Sequence, residues 1–93
     1  MSIEEVYQAI IAICKEFSAS RVVLFGSRAK GTNLAKSDID IAVSGVKYID
    51  ILEERLDAIP TLYKIDLVDL DHCKNHFLLE DIAQYGREIY KKI

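Results

Sequence analysis

The apolar positions of the chain fall into short blocks with two different periods. Ile3, Val6, Ile10, Ile13 and Phe17 recur at spacings of three and four, which is one buried stripe on a helix. Ser2 precedes the stripe with Glu5 three positions on. That capping box satisfies two amides the first turn would otherwise leave unpaired. The spacing predicts a helix over about residues 3–17. The run Val22-Val23-Leu24-Phe25 then stops at Gly26, so residues 21–25 read as a strand apolar on both faces and central in its sheet.

A second strand is expected over 38–44 and ends at Gly45. Ile39, Ile41 and Val43 point to one face and Asp38 and Asp40 to the other. Between the strands, Ser27 to Leu34 can begin as a short helix that Gly31 ends. Thr32, Asn33, Lys36 and Ser37 then supply turn chemistry. A connection this short predicts adjacent strands. Tyr48 to Ile59 reads as a helix with Ile51, Leu52, Leu56 and Ile59 inward and Glu53, Glu54 and Asp57 in water, stopped by Pro60. Lys64 to Leu70 is a third strand with imperfect alternation. The last helix is Asn75 to Tyr85, with Phe77, Leu78, Ile82 and Tyr85 as its apolar face and Gly86 at C′. Arg87 to Tyr90 either adds a short strand or frays. This order predicts a single α/β (α+β) domain over residues 1–93, two layers deep, with a small mixed sheet packed against helices.

Composition narrows the function classes. With 93 residues, 51% of them hydrophobic, one small core can form and some apolar surface is left for a partner. The net charge is −3 and there is no basic stripe, so direct nucleic-acid binding has no electrostatic support. No apolar run approaches the roughly 18 residues of a membrane span, and the first residues carry Glu4 and Glu5 rather than a basic leader. Cys14 and Cys73 lack metal spacing, which fits free thiols in a cytoplasmic protein. His72 and His76 stand four apart, a zinc-compatible spacing, but no third ligand is near; surface histidines are expected.

The chemistry gathers around Gly26. Gly26-Ser27 at a strand end leaves little side chain in the way, so backbone N–H groups can approach an anion. Asp38 and Asp40 repel each other on one strand face, and a divalent cation such as Mg²⁺ makes such a pair favourable. Together these features point to nucleotide-phosphate chemistry. The spacing Gly26-x4-Gly31 imitates a P-loop, but Thr32 stands where its lysine belongs. An EF-hand beginning at Asp38 fails at Val43 and Ile49, where glycine and glutamate are required. Asp66, inside an apolar strand, has two readings: an edge strand with the carboxylate in solvent, or a third carboxylate beside Asp38 and Asp40. Asp69 and Asp71 are rivals nearer the strand's exit and are expected in solvent.

Gly26-Ser27-Arg28-Ala29-Lys30-Gly31 with Ser37-Asp38-Ile39-Asp40 resembles the G-S-x10-D-x-D signature of the DNA polymerase beta-type nucleotidyltransferases. Its fullest likeness is to the minimal nucleotidyltransferases, along nearly the whole chain. The resemblance implies a nucleotidyltransferase fold with Asp38, Asp40 and Asp66 as catalytic carboxylates holding two Mg²⁺ ions. Gly26, Ser27, Arg28, Lys30 and Ser37 become the nucleotide-binding residues, with ATP as substrate. Lys30 departs from the usual arginine and offers a point charge rather than a planar fork. Larger members carry a second domain for base and acceptor, so a partner chain is expected to supply them here. The resemblance implies an antitoxin whose partner is a HEPN-domain toxin, in a hetero-oligomer, with AMP passed from ATP to a tyrosine hydroxyl of that partner. A homodimer is the other assembly open to the chain. The competing reading is an antitoxin that neutralises its HEPN partner by binding alone. An antibiotic-modifying transferase would need the substrate domain this chain lacks.

Overall fold

A computed structural model describes residues 1–93. Its elements are α1 (Ile3–Glu16), β1 (Arg21–Phe25), α2 (Ser27–Lys30), β2 (Ile39–Ser44), α3 (Ile49–Asp57), β3 (Ile65–Asp69), α4 (His76–Tyr85) and β4 (Arg87–Lys91). The four strands form one mixed sheet in the order β3-β2-β1-β4. β1 runs antiparallel to β2 and β4, and β2 runs parallel to β3. Arg87–Lys91 is therefore an edge strand rather than a frayed end. β4 pairs with β1 through an irregularity between Val22 and Val23.

The helix ends follow local chemistry. Ser2 Oγ accepts from the Glu5 amide at 3.2 Å, and Glu5 Oε1 accepts from the Ser2 amide at 3.0 Å, completing the capping box. At its other end, α1 closes through Ala19 N–H to Cys14 O and Ser18 N–H to Lys15 O, both near 3 Å, with Ser18 at φ 59. That pairing is a Schellman closure with serine at the position glycine usually fills, and no turn dipeptide announces it.

Both faces of the sheet are covered, unequally. Val22 and Leu24 of β1, Ile39, Ile41 and Val43 of β2 and Ile65 of β3 join Val6, Ile10 and Cys14 of α1 and Leu52 and Leu56 of α3 in the main core. This is the expected two-layer packing. On the opposite face Val23, Phe25 and Ala42 meet Ile82 of α4, with Val68, Leu70 and Leu78 packed around them. That smaller cluster covers only part of the face. Asp40 and Asp66 lie on the same face, toward the end of the sheet where β1 stops and β2 and β3 start.

Three inward assignments fail. Ile51 is half exposed, because α3 turns Leu52, Leu56 and Ile59 to the core and needs no fourth residue there. Phe77 is 86% exposed and Tyr85 47%; α4 rests on the sheet only along Ile82 and Leu78. Gly86 is required for a different reason from the one its position implied. Its φ is −62, and an added Cβ would stand 2.7 Å from Val23 Cγ1 and collide with the Ile82 carbonyl. Close passage of α4 over β1, not a left-handed cap, demands the glycine. No helix is long and apolar enough to cross a membrane.

Two outcomes test this packing. Leu52→Ala should cost about 2–5 kcal/mol by leaving a cavity, while Ile51→Ala should stay within about 0.5 kcal/mol; urea melts of both variants check the contrast. Burial raises the Cys14 thiol to about 11, so only Cys73 should react rapidly with a thiol reagent in the native state, as titration before and after denaturation would show.

Candidate active site

The site is built from the turn that follows β1. At Gly26 the backbone takes φ 72 and ψ −153, a conformation that side chains bearing a Cβ rarely adopt. The same position is sterically closed. A Cβ on Gly26 would collide with the Asp40 carboxylate, 3.2 Å from its Cγ. The Gly26 carbonyl accepts from the amides of Ala29 at 3.2 Å and Lys30 at 3.1 Å, which starts α2 directly from the turn. The amides of Ser27 and Arg28 open that helical turn, where no earlier helical carbonyl exists to receive them. Gly31, at φ 76, ends it after four residues.

β2 brings the carboxylates to this turn. The antiparallel register sets Asp40 beside Phe25, and the parallel register sets it beside Asp66. β3 is an edge strand, and on it Asp66 stands next to Asp40 of β2. Asp38 is exposed at the end of the loop, one residue before β2. Burial pushes the Asp40 carboxyl above the usual range. Repulsion from Asp66 and then Asp38 adds to the shift, and Lys64 opposes it. Lys64 Nζ lies 3.5 Å from Asp66 Oδ1. The three carboxylates share one end of the sheet without being drawn around a single point. Their donor chemistry fits hard divalent ions, since oxygen ligands of like charge gain most from a cation between them.

The other residues assigned to the nucleotide are engaged within the protein. The Arg28 guanidinium turns onto the loop: Nε and Nη2 donate to the Ser37 carbonyl at 3.0 and 2.8 Å, and Nη2 donates to Ala35 O at 3.2 Å. It also lies 4.9 Å from the centre of the Tyr63 ring. Lys30 Nζ pairs with Asp81 Oδ1 of α4 at 2.8 Å and stands 5.0 Å over the Tyr85 ring. Ser37 Oγ accepts from the Leu34 amide at 2.8 Å, closing the loop on itself. The sequence assigned none of Tyr63, Lys64, Asp81 and Tyr85 to the site. Their partners are distant in the chain, and neither periodicity nor motif joins them.

Asp69 departs from its expected place in solvent. Its side chain is only 16% exposed; one oxygen accepts from the Asp71 amide at 3.0 Å and the other meets His72 Nδ1 at 2.7 Å. Asp71 accepts from the Gly45 amide at 2.7 Å. Both aspartates brace the far end of β2 and β3, away from Asp66. Donation to the Asp69 carboxylate raises the His72 imidazole above its ordinary value.

This arrangement has known counterparts. The polymerase beta nucleotidyltransferase profile matches residues 8–92, and the chain belongs to that family. Among solved structures, a chain of a toxin–antitoxin crystallised with AMP-PNP is 28% identical, with a TM-score of 0.73 over 91% of this chain and 73% of that one. A mutant of the toxin–antitoxin MntA-HpeT, in which two aspartates two positions apart become glutamate, is 26% identical with a TM-score of 0.71 over the same shares. A structure from Shewanella oneidensis shares the fold at 20% identity, with a TM-score of 0.71 over 98% of this chain and 74% of that one. None of the curated proteins matches the chain at a significant level.

The strain at Asp40 gives a test with a definite sign. Folding holds its carboxyl above the ordinary value of 3.8, so the ionised group costs stability near neutral pH and the cost fades as pH falls through the raised value. Asp40→Asn should melt at or above wild type near neutral pH, with the difference gone below 3.8. Thermal melts at both acidities check it. Gly26→Val should lose about 1–3 kcal/mol from the left-handed backbone and, by displacing the Asp40 carboxylate, lose Mg²⁺–ATP binding in calorimetric titration.

Proposed function

We propose that this chain transfers AMP from ATP to a hydroxyl of a partner protein, that the partner is a HEPN-domain toxin, and that the hydroxyl belongs to a tyrosine. The observation that carries the reading is the meeting of the Gly26 turn with Asp40, with Asp66 beside Asp40 on the next strand. Family membership supports the reaction type. Likeness to chains of toxin–antitoxin structures, one of them with AMP-PNP, supports nucleotide and partner.

In this reading Asp38, Asp40 and Asp66 hold two Mg²⁺ ions. Bound there, the metal supplies charge neutralisation on the phosphates and lowers the barrier to in-line displacement. The protein's own groups do the rest. The Ser27 hydroxyl and the amides of Ser27 and Arg28 face the β- and γ-phosphates, where partial positive charge favours an anion. Asp66 takes the proton of the acceptor hydroxyl. The oxygen then attacks the α-phosphorus, the bond to the β-phosphate oxygen breaks, pyrophosphate leaves, and the acceptor keeps AMP as a phosphodiester. Asp40 suits the role of ligand: burial and then repulsion from Asp66 and Asp38 disfavour its charge, so a cation that removes the repulsion stabilises the folded site.

Intact mass of the co-expressed partner after ATP–Mg²⁺ treatment tests the reaction, an added AMP being expected. Asp66→Asn should retain partner binding and nucleotide binding while transfer falls about 10²–10⁴-fold, as when a general base is lost. A growth assay at equal expression then separates chemistry from contact. Protection lost with Asp66→Asn supports transfer as the means of neutralisation; protection equal to wild type supports neutralisation by binding alone.

A further inference from the structure

We infer that the guanidinium of Arg28, as distinct from its backbone amide, is a positioning group for Asp38 rather than a phosphate ligand, an inference that rests on the metal-site reading above. Asp38 has no strand partner of its own, yet the peptide groups on either side of it are fixed. On the N-terminal side, the Ser37 carbonyl receives two hydrogen bonds from one guanidinium, at 3.0 and 2.8 Å. On the C-terminal side, the Ile39 amide donates to the Lys64 carbonyl at 2.8 Å. The residue between them thereby has its backbone pinned from both ends, while its carboxylate remains exposed.

The guanidinium is itself aimed by two contacts. It turns two donors of its rigid plane, Nε and Nη2, onto the Ser37 carbonyl while Nη2 also reaches Ala35 O, a fixed fork that a lysine ammonium on its flexible stem does not offer. It also stacks against Tyr63, which directly precedes Lys64. The Tyr63–Lys64 segment thus touches both supports of Asp38, the guanidinium through the ring and the Ile39 amide through the carbonyl. Arg28 sits in α2, one residue from Ser27. One side chain therefore fixes the distance between the phosphate-facing turn and the first carboxylate of the Asp-x-Asp pair. Its donors are turned to carbonyls, which give a cation partners without requiring an anion.

Mn²⁺ binding in the presence of AMP-PNP, followed by electron paramagnetic resonance, tests the role alongside metal-free AMP-PNP binding. Arg28→Ala and the charge-keeping Arg28→Lys should both weaken Mn²⁺ binding roughly 10-fold, as when the support of a metal ligand is lost. Both should leave metal-free AMP-PNP binding unchanged. The double variant of Arg28→Ala with Asp38→Asn should bind Mn²⁺ no more weakly than Asp38→Asn alone. Circular dichroism melts confirm that each variant is folded at the assay temperature, and Tyr63→Leu, which keeps the arginine, should move Mn²⁺ binding in the same direction by less. Wild-type Mn²⁺ binding by Arg28→Lys, with metal-free AMP-PNP binding lost in Arg28→Ala, overturns the inference and returns Arg28 to the phosphates. If Asp38→Asn itself binds Mn²⁺ like wild type, the metal-site reading fails first and the inference falls with it.

Discussion

The close pass of Gly26 against the Asp40 carboxylate governs the site. A turn that must leave β1, start a helix and admit a carboxylate beside it has no room for a Cβ and needs a positive φ. Both demands fall on one residue. Once they are met, β2 can return antiparallel with Asp40 beside Phe25, and the amides of the Gly26 turn and the acidic pair occupy one end of the sheet. The main core then follows from alternation: Val22 and Leu24 of β1, Ile39, Ile41 and Val43 of β2 and Ile65 of β3 face away from Asp40 and are buried beneath α1 and α3.

The face that carries Asp40 and Asp66 is the poorly covered one. α4 reaches across it only as far as Val23, Phe25 and Ala42, leaving the end with Asp40 and Asp66 open. One face is continuous apolar packing. The other accepts a half-buried carboxylate among like charges, an arrangement that costs folding energy and that a bound cation would offset. The lysine beside Asp66 relieves part of the repulsion and is exposed enough to move away.

Most of the fold was legible because it obeys local periods. The α1 stripe and capping box, the apolar run of β1 and the alternation of β2 each specify an element without knowledge of the rest. The motif carried Gly26, Ser27, Asp38 and Asp40. What could not be read depended on contacts between distant parts of the chain. Ile51, Phe77 and Tyr85 are apolar residues at helical spacing whose exposure is decided by how far α3 and α4 lie from the sheet. Arg28 and Lys30 carry charges whose partners, Tyr63 and Asp81, lie some 35 and 51 positions away. A cation next to a phosphate motif reads as a phosphate ligand until those partners are in place. Asp69 shows the converse: an acidic residue near a strand's exit reads as solvated, and a histidine three residues on occupies it.

The parallel pairing of β2 with β3 also bears on how this domain can change over generations. Asp66 meets Asp40 only because strand side chains alternate with a period of two. Inserting a single residue between Ile65 and Asp66 would send the carboxylate into the apolar core and Leu67 onto the face that carries Asp40. The loop from Ala58 to Lys64, largely at the surface, faces no such parity rule and can lengthen with little penalty. Variation in length among descendants of this sequence is thereby channelled into that loop, close to Tyr63 and the entrance of the site, while β3 itself admits substitution but not a shift of frame.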